Sequence, residues 1–285
     1  MEIRPLARTD LARVRPLLDL VIKDCEHFSY PRFNKISDIY RELEYSIEFM
    51  ATESLVVEEK GNLEGLVTYF WDDDEKYVQI TLLVIKNKDI NIFNQITSNI
   101  KEKLKGFEIN LSLAESAWIN DVDSFRERAL VAENSHVLEK RNISEKNDQS
   151  IDIKILQKED FQSYRNFYDS FAKDMYYSSN NLYRDFDKFR IFVKRDDEDI
   201  KASLIAKIYG KRPCQAEIFA IFIKDVENYE ETCDSLIKAM ENALVDEFGK
   251  IQEIKYYLDV DKKIELKVAT KNGFNKLDTY ILYKL

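Results

Sequence analysis

Glycine is scarce in this 285-residue chain: six residues, where ordinary usage gives about twenty. Loops that cradle phosphates rely on close backbone approach, and so on glycine. Few such loops can be built here. Histidine is scarcer still, with only His27 and His136. A histidine-rich metal centre is excluded, and a Ser-His-Asp triad has little to draw on. The three cysteines, Cys25, Cys214 and Cys233, are odd in number and widely spaced. They match neither a disulfide framework nor a zinc pattern, so no metal is expected and a reducing, cytoplasmic compartment is. No apolar run approaches the roughly 18 residues that span a membrane. The opening MEIRPLARTD is charged from its second residue and does not read as a secretory signal. Positive charge is also short: 43 Lys and Arg stand against 53 Asp and Glu, a net charge of −10. Such a chain is a poor general binder of nucleic acid or anionic membrane.

What is present is a globular composition, 45% apolar and 34% charged, and a length that suits two domains. An internal repeat divides them. MEIRPLARTDLARVRPLLD at the start matches IDIKILQKEDFQSYRNFYD, which begins at Ile151. At this offset Ile3 meets Ile153, Leu6 meets Leu156, Asp10 meets Asp160, Arg15 meets Arg165 and Asp19 meets Asp169. Two copies at so long a period mean tandem domains rather than a solenoid. The expected boundaries are 1–143 and 151–285, with the polar stretch 144–150 as linker.

Each half reads as a short strand, two helices, a three-strand meander, a helix, a strand, a helix and a closing strand. Thr9 or Asp10 is the expected cap of the first helix, with Lys158-Glu159-Asp160 its counterpart. The meander strands are Ser54–Glu59, Leu63–Trp71 and Lys76–Ile85, then Phe189–Lys194, Ile200–Tyr209 and Gln215–Ile223. The next helices are expected at Ile92–Leu104 and Tyr229–Phe248, and the last ones at Asp121–Ala132 and Lys262–Lys271. His136–Lys140 and Asn275–Tyr283 are the closing strands. The expected fold is α/β: a mixed sheet with helices on both faces, in the order β-α-α-β-β-β-α-β-α-β, twice.

This order resembles the GNAT acyltransferase superfamily. IRPLARTDLARVRPLL is similar to that family's first strand and helix. Glu58 to Phe70 is similar to its turn into a central strand. Ala269-Thr-Lys-Asn-Gly-Phe274, followed by LDTYILYKL, resembles its closing helix, Gly-Phe corner and last strand. The resemblance implies acetyl-CoA bound between two splayed parallel strands, with a glycine-rich loop holding the pyrophosphate at a helix N-terminus. It implies transfer of an acetyl group to a small-molecule amine, with a base taking the amine proton and a tyrosine protonating the thiolate.

Several of those parts are missing. The stretch from Lys224 to Leu236 has no glycine, and Glu230, Glu231 and Asp234 stand where a pyrophosphate would sit. The first-half counterpart, Ile85 to Gln95, also lacks glycine but offers Lys86 and Lys88. The family's acid tyrosine falls on Ala269, and the asparagine before the last helix falls on Lys262. The positions that would hold CoA or acetyl-CoA are therefore Lys86 and Lys88 in one half and Tyr229, Thr232 and Cys233 in the other. Glu217, on the fourth strand of the second half, is where a base would sit.

Other features carry structural alternatives. The aromatics Phe28, Tyr30, Phe33, Tyr40, Tyr45 and Phe49, and the second-half run from Tyr164 to Phe186 with Tyr176 within it, would wall an acceptor pocket or simply pack. Lys263, Lys267 and Lys271 recur on one helix face, as an anion site or a solvated stripe. Asp72-Asp73-Asp74-Glu75 reads as a hairpin tip rather than a cation site, since it lacks the ligand spacing of an EF-hand loop. Cys233 near a helix start would be a reactive thiol, or a small buried residue. Two functions then stand: a CoA-dependent N-acetyltransferase, or a catalytically inactive GNAT-like protein that binds a protein partner or small ligand. A transferase using aminoacyl-tRNA would need a basic surface, and neither half is basic. The observation that separates them is whether the two clefts are open or filled.

Overall fold

Alternating Glu2-Ile3-Arg4-Pro5 forms the first strand of a computed structural model that describes residues 1–30, 32–147, 152–172, 177–197, 199–211, 214–224 and 227–285. After this strand, β1 (Glu2–Pro5), come α1 (Arg15–Lys23) and α2 (Ile36–Glu48), each with one apolar stripe. Apolar runs rich in Val, Ile and Leu then give β2 (Thr52–Glu59), β3 (Asn62–Asp72) and β4 (Tyr77–Ile85). The β2–β3 turn places Lys60 and Gly61 at positive φ (49° and 79°), the twist-compatible geometry of a tight hairpin. α3 (Ile90–Lys103) buries Ile92, Phe93, Ile96 and Ile100. β5 (Glu108–Ala114), α4 (Asp123–Arg126) and β6 (Leu130–Ile143) follow.

The second half repeats the series: β7 (Ile153–Ile155), α5 (Phe161–Phe171), α6 (Ser179–Arg184), β8 (Phe189–Asp196), β9 (Asp199–Lys211) and β10 (Cys214–Ile223). Then come α7 (Tyr229–Phe248), β11 (Ile251–Asp259), α8 (Lys263–Lys271) and β12 (Asn275–Lys284). α8 ends at Gly273, whose φ of 83° is the left-handed corner that terminates helices. Phe274 N–H returns to the Ala269 carbonyl at 3.0 Å, and Phe274 is buried. This is the expected Gly-Phe corner.

The chain divides into two compact units, Met1–Asn134 with Asp278–Leu285, and Ser135–Leu277. In the first, β1 to β4 run antiparallel in sequence order, β5 lies parallel to β4, and Tyr280–Lys284 of β12 pairs antiparallel with β5. In the second, β7 to β10 are antiparallel, β11 is parallel to β10, and Ser135–Ile143 of β6 pairs antiparallel with β11. The expected closing strands exist, but each closes the sheet built by the other half of the sequence. Helices cover both faces of each sheet. In the first unit, Leu18, Leu43 and Val84 mark the α1–α2 core. Tyr69, Ile96 and Phe125 mark the core under α3 and α4.

Three local expectations are corrected. The helix expected over Asp121–Ala132 is a single turn, because Phe125 and Ala129 are its only buried residues and too little apolar surface supports a longer one. Asp10 does not cap α1. It is buried and accepts from Arg4, Arg13 and the Ala7 N–H. Asp160 precedes α5 but makes no side-chain cap bond. Part of the expected linker, residues 148–150, and Tyr176 lie outside the described residues. Asn147 is anchored, its N–H donating to Asn242 Oδ1 on α7 at 2.7 Å.

Candidate functional site

Parallel strands that part company leave a cleft at their C-terminal ends, where open α/β sheets bind ligands. β4 and β5 pair only as far as Ile80 and Leu111. Next along β4 a bulge frees Thr81 from the β3 ladder, since Thr68 pairs with Leu82 and Tyr69 with Ile80. The second unit repeats this. The last β10–β11 pair is Ile218 with Tyr256, and the bulge falls at Phe219.

The first cleft is filled by backbone. Tyr30 N–H donates to the Ser112 carbonyl at 2.9 Å, and Ala114 N–H donates to the Phe28 carbonyl at 3.0 Å. Ser29 thus bridges Leu113 in antiparallel fashion. Its hydroxyl reaches across to the Thr81 carbonyl of β4 at 3.3 Å. Phe28, Ser29 and Tyr30 are all buried. A three-residue strand therefore lies between the parted strands, satisfying groups that a ligand would otherwise meet. The approach to α3 is closed as well. Asp89 Oδ1 accepts the Asn91 N–H at 2.8 Å, using one of the helix's free donors. Lys88, held at a left-handed φ of 55°, is ion-paired with Glu26 just before the inserted strand. Lys86 lies 3.9 Å from Glu64 Oε1.

Side chains close the second cleft. Tyr229 opens α7, Tyr256 sits where β10 and β11 part, and Glu265 lies in the first turn of α8. Both tyrosine hydroxyls donate to the buried Glu265 carboxylate. Burial, together with that carboxylate, drives both phenols well above their ordinary range. Further along, Lys267 binds Glu230 at 2.8 Å and Asn272 Nδ2 binds Asp234 at 2.8 Å. These bonds stitch the first two turns of α7 to α8. The lysine row on α8 is thus committed in part to pairing, with Lys271 also 3.9 Å from Asp234. A cavity of about 600 Å³ at the start of α7 is lined, among the described residues, by Glu227, Glu230, Glu231 and Asp234 against Lys271. On the opposite face Phe219 is wedged between Tyr177 and Phe189 (5.5 and 5.8 Å), and the Lys207 ammonium lies over Tyr177, Phe189 and Tyr209.

The architecture matches solved structures along the whole chain. A GCN5-related N-acetyltransferase from Sphaerobacter thermophilus superposes with a TM-score of 0.69 at 8% identity, covering 100% of this chain and 95% of that one. The tandem GNAT protein from the clavulanic acid biosynthesis pathway, solved without AcCoA, gives 0.55 at 14%, covering 100% and 98%. A putative acetyltransferase from Pyrococcus horikoshii gives 0.55 at 11%, covering 100% and 88%. The fold is a tandem GNAT fold. No family model and no curated protein matches the sequence.

The GNAT comparison makes acetyl-CoA the cofactor to test against these residues, and they do not fit it. In the first unit the space between the strands holds the chain's own backbone. In the second, four carboxylates line the cavity at the start of α7, and at short range each would oppose a pyrophosphate there by about 1 kcal/mol or more, while Thr232 lines a separate cavity of about 570 Å³ with Lys194, Arg195, Lys201 and Lys224. Among the residues expected to hold CoA, Tyr229, Thr232 and Cys233 do share the opening of α7. Their polar atoms are occupied or buried: Thr232 Oγ1 accepts from Lys194 at 3.3 Å. Cys233 is fully buried, and desolvation, reinforced by Glu265 and Asp234, pushes its thiol up rather than down. It is the inert residue, not the reactive one. Ala269 is fully buried in the α7–α8 core and offers no proton. Glu217 lies one residue before the strands part, half-buried, and accepts from the Tyr209 hydroxyl at 2.5 Å.

Sequence reading missed the inserted strand and Glu265. The signal for the first was Phe28-Ser29-Tyr30 followed by Pro31, since proline biases the residue before it toward extended backbone. Glu265 sits in a lysine-rich helix and nothing local marks it as buried. Among the described residues no helix is long and apolar enough to cross a membrane, and no group of three or more His, Cys, Asp or Glu is placed to hold a metal ion.

Proposed function

We propose that this chain is a GNAT-fold binding protein that does not transfer acyl groups from CoA. The observation that carries the reading is the strand Phe28–Tyr30, hydrogen-bonded into the cleft of the first unit. The Tyr229–Glu265–Tyr256 cluster supports the same reading for the second. Replacing these internal bonds with a ligand would gain little, because each bond made to CoA requires one made by the chain to break. A reducing, cytoplasmic setting suits three free cysteines, two of them buried. Nucleic acid and anionic membrane are disfavoured partners at a net charge of −10.

The likeness of fold favours a second reading, a CoA-dependent N-acetyltransferase acting on a small amine, with Glu217 as base. It would require one of the clefts to open. Calorimetric titration with acetyl-CoA and with CoA, at low and moderate salt, decides between them. The binding-protein reading expects no heat of binding at millimolar ligand. Micromolar binding would overturn it, and Ser29→Pro and Glu265→Gln variants would then show which unit opens.

A further inference from the structure

The first unit carries a cavity of about 390 Å³ where α2 ends; it reaches to Thr81, whose carbonyl accepts the Ser29 hydroxyl of the inserted strand. Tyr45, Met50, Phe70 and Trp71 form its walls, and Thr68 and Thr81 lie among its polar lining. Its mouth is apolar and open. Tyr45 stacks on Phe49 at 4.2 Å, both about half exposed, and Met50 is 95% exposed. The turn that presents Met50 is strained, because Ala51 takes a left-handed φ of 63°. The Trp71 N–H holds that turn through the Ala51 carbonyl at 3.0 Å. Exposed, contiguous aromatic and methionine surface of this kind marks interaction sites, and methionine adapts to varied partners.

The charge lining the cavity is acidic. Glu42 is the one charged residue among the described residues lining the cavity, and the turn Asp72-Asp73-Asp74-Glu75 follows Trp71 directly. Arg41 is taken by Asp38 at 2.6 Å, Lys103 by Glu53 at 2.7 Å and Arg8 by Glu48, while Lys76, which ends the acidic turn, lies 4.8 Å over the Phe107 ring. We infer that this face docks a basic amphipathic peptide segment. One apolar side chain of the partner enters the cavity, and its Lys or Arg residues meet Glu42 and the Asp72–Glu75 turn. Such complementarity sets partner choice and association rate, while the buried apolar anchor supplies most of the affinity.

The test uses two fluorescent peptides of one leucine pattern, one with lysine and one with glutamate on the polar face, and follows anisotropy on the full chain. The lysine peptide is expected to bind at micromolar concentration, and the glutamate peptide at least about tenfold more weakly. Met50→Ser combined with Phe70→Ser, both at exposed positions, should weaken the lysine peptide at least about tenfold. Glu42→Lys should do so in a salt-dependent way. Circular dichroism confirms that the variants fold. Equal binding of both peptides, or lysine-peptide binding that ignores Met50 and Phe70, would overturn the proposal. So would displacement of the peptide by phenethylamine at similar concentration, which would make the cavity a small-ligand pocket.

Discussion

The amide of Tyr30 donates to the carbonyl of Ser112 at 2.9 Å, inside the gap where β4 and β5 part. Residues from before α2 thereby occupy the space that the fold normally keeps between these strands. The contact belongs to the sheet rather than to a loop, and its exchange behaviour should show it. Tyr30 and Ala114 amides are expected to exchange with deuterium as slowly as the centre of β5, in a native-state measurement. Ser29→Pro removes the hydroxyl that donates to the Thr81 carbonyl and fixes φ at the bridge residue, and should cost about 1–3 kcal/mol by urea unfolding. Fast exchange at Tyr30 in the unmodified chain would mean that the segment opens readily.

Acid should act on the first unit in two separate windows. His27 is buried, and burial pushes its pKa below the ordinary 6.5, opposed by Asp24 and Glu26 and aided by Lys88. The unfolded chain therefore takes up this proton first, so stability falls as pH drops below about 6.5 toward the folded value. Asp10 is the reverse kind of group. Hydrogen bonding from Arg4 above all, then from the Ala7 N–H and Arg13, lowers its pKa from 3.8 to about 2. Its contribution is fully present above about 3.8 and is lost as pH falls toward 2. Urea midpoints from pH 7 to pH 2 should show a first decline that His27→Phe abolishes. Asp10→Asn should cost about 2–3 kcal/mol at pH 7 and flatten the second decline. A single decline that neither variant alters would contradict both assignments.

How much of this was legible beforehand depended on how local the signal was. The meander strands, α7 and the Gly-Phe corner all follow from runs of residues that carry their own pattern. The destination of the closing strands does not. Leu130–Ile143 and Asn275–Lys284 are good strands by composition, but composition says nothing about which edge a strand joins. The candidate site split along the same line. The missing glycines and the alanine at position 269 were visible, and they pointed to altered clefts. What fills the clefts was not, since Phe28–Tyr30 and Glu265 act through contacts 84 residues away (Ser29 to Leu113) and across separate helices.

Glu265 tests the closure of the second cleft. The buried phenol of Tyr256 and the half-buried phenol of Tyr229 converge on its carboxylate, with Lys262 at 3.5 Å. Removing the acceptor leaves the buried Tyr256 hydroxyl unsatisfied, worth about 1–3 kcal/mol, and takes the bond from the half-buried Tyr229 as well. Glu265→Ala should therefore destabilise the chain by about 2–5 kcal/mol, while Glu265→Gln, which still accepts, should lose clearly less. Cys233 is the reporter, since it is buried beside this cluster. It should resist a thiol reagent in the unmodified chain and react in Glu265→Ala. Ready modification of Cys233 before any substitution would mean that the cluster does not seal the cleft.

The exchanged closing strands make the two halves dependent on one another. A fragment of residues 1–143 keeps β5 but lacks Tyr280–Lys284, and a fragment of residues 151–285 keeps β11 but lacks Ser135–Ile143. Each sheet would end in a bare, largely apolar strand, with buried residues such as Leu111, Leu113, Ile254 and Leu258 exposed along an unpaired edge. Each fragment is expected to aggregate or remain unfolded when expressed alone. Together the two fragments contain every strand both sheets need. Co-expression should therefore give a soluble complex with the circular dichroism spectrum of the intact chain. Independent folding of either fragment, with a cooperative urea transition of its own, would show that the repeat closes within each half after all.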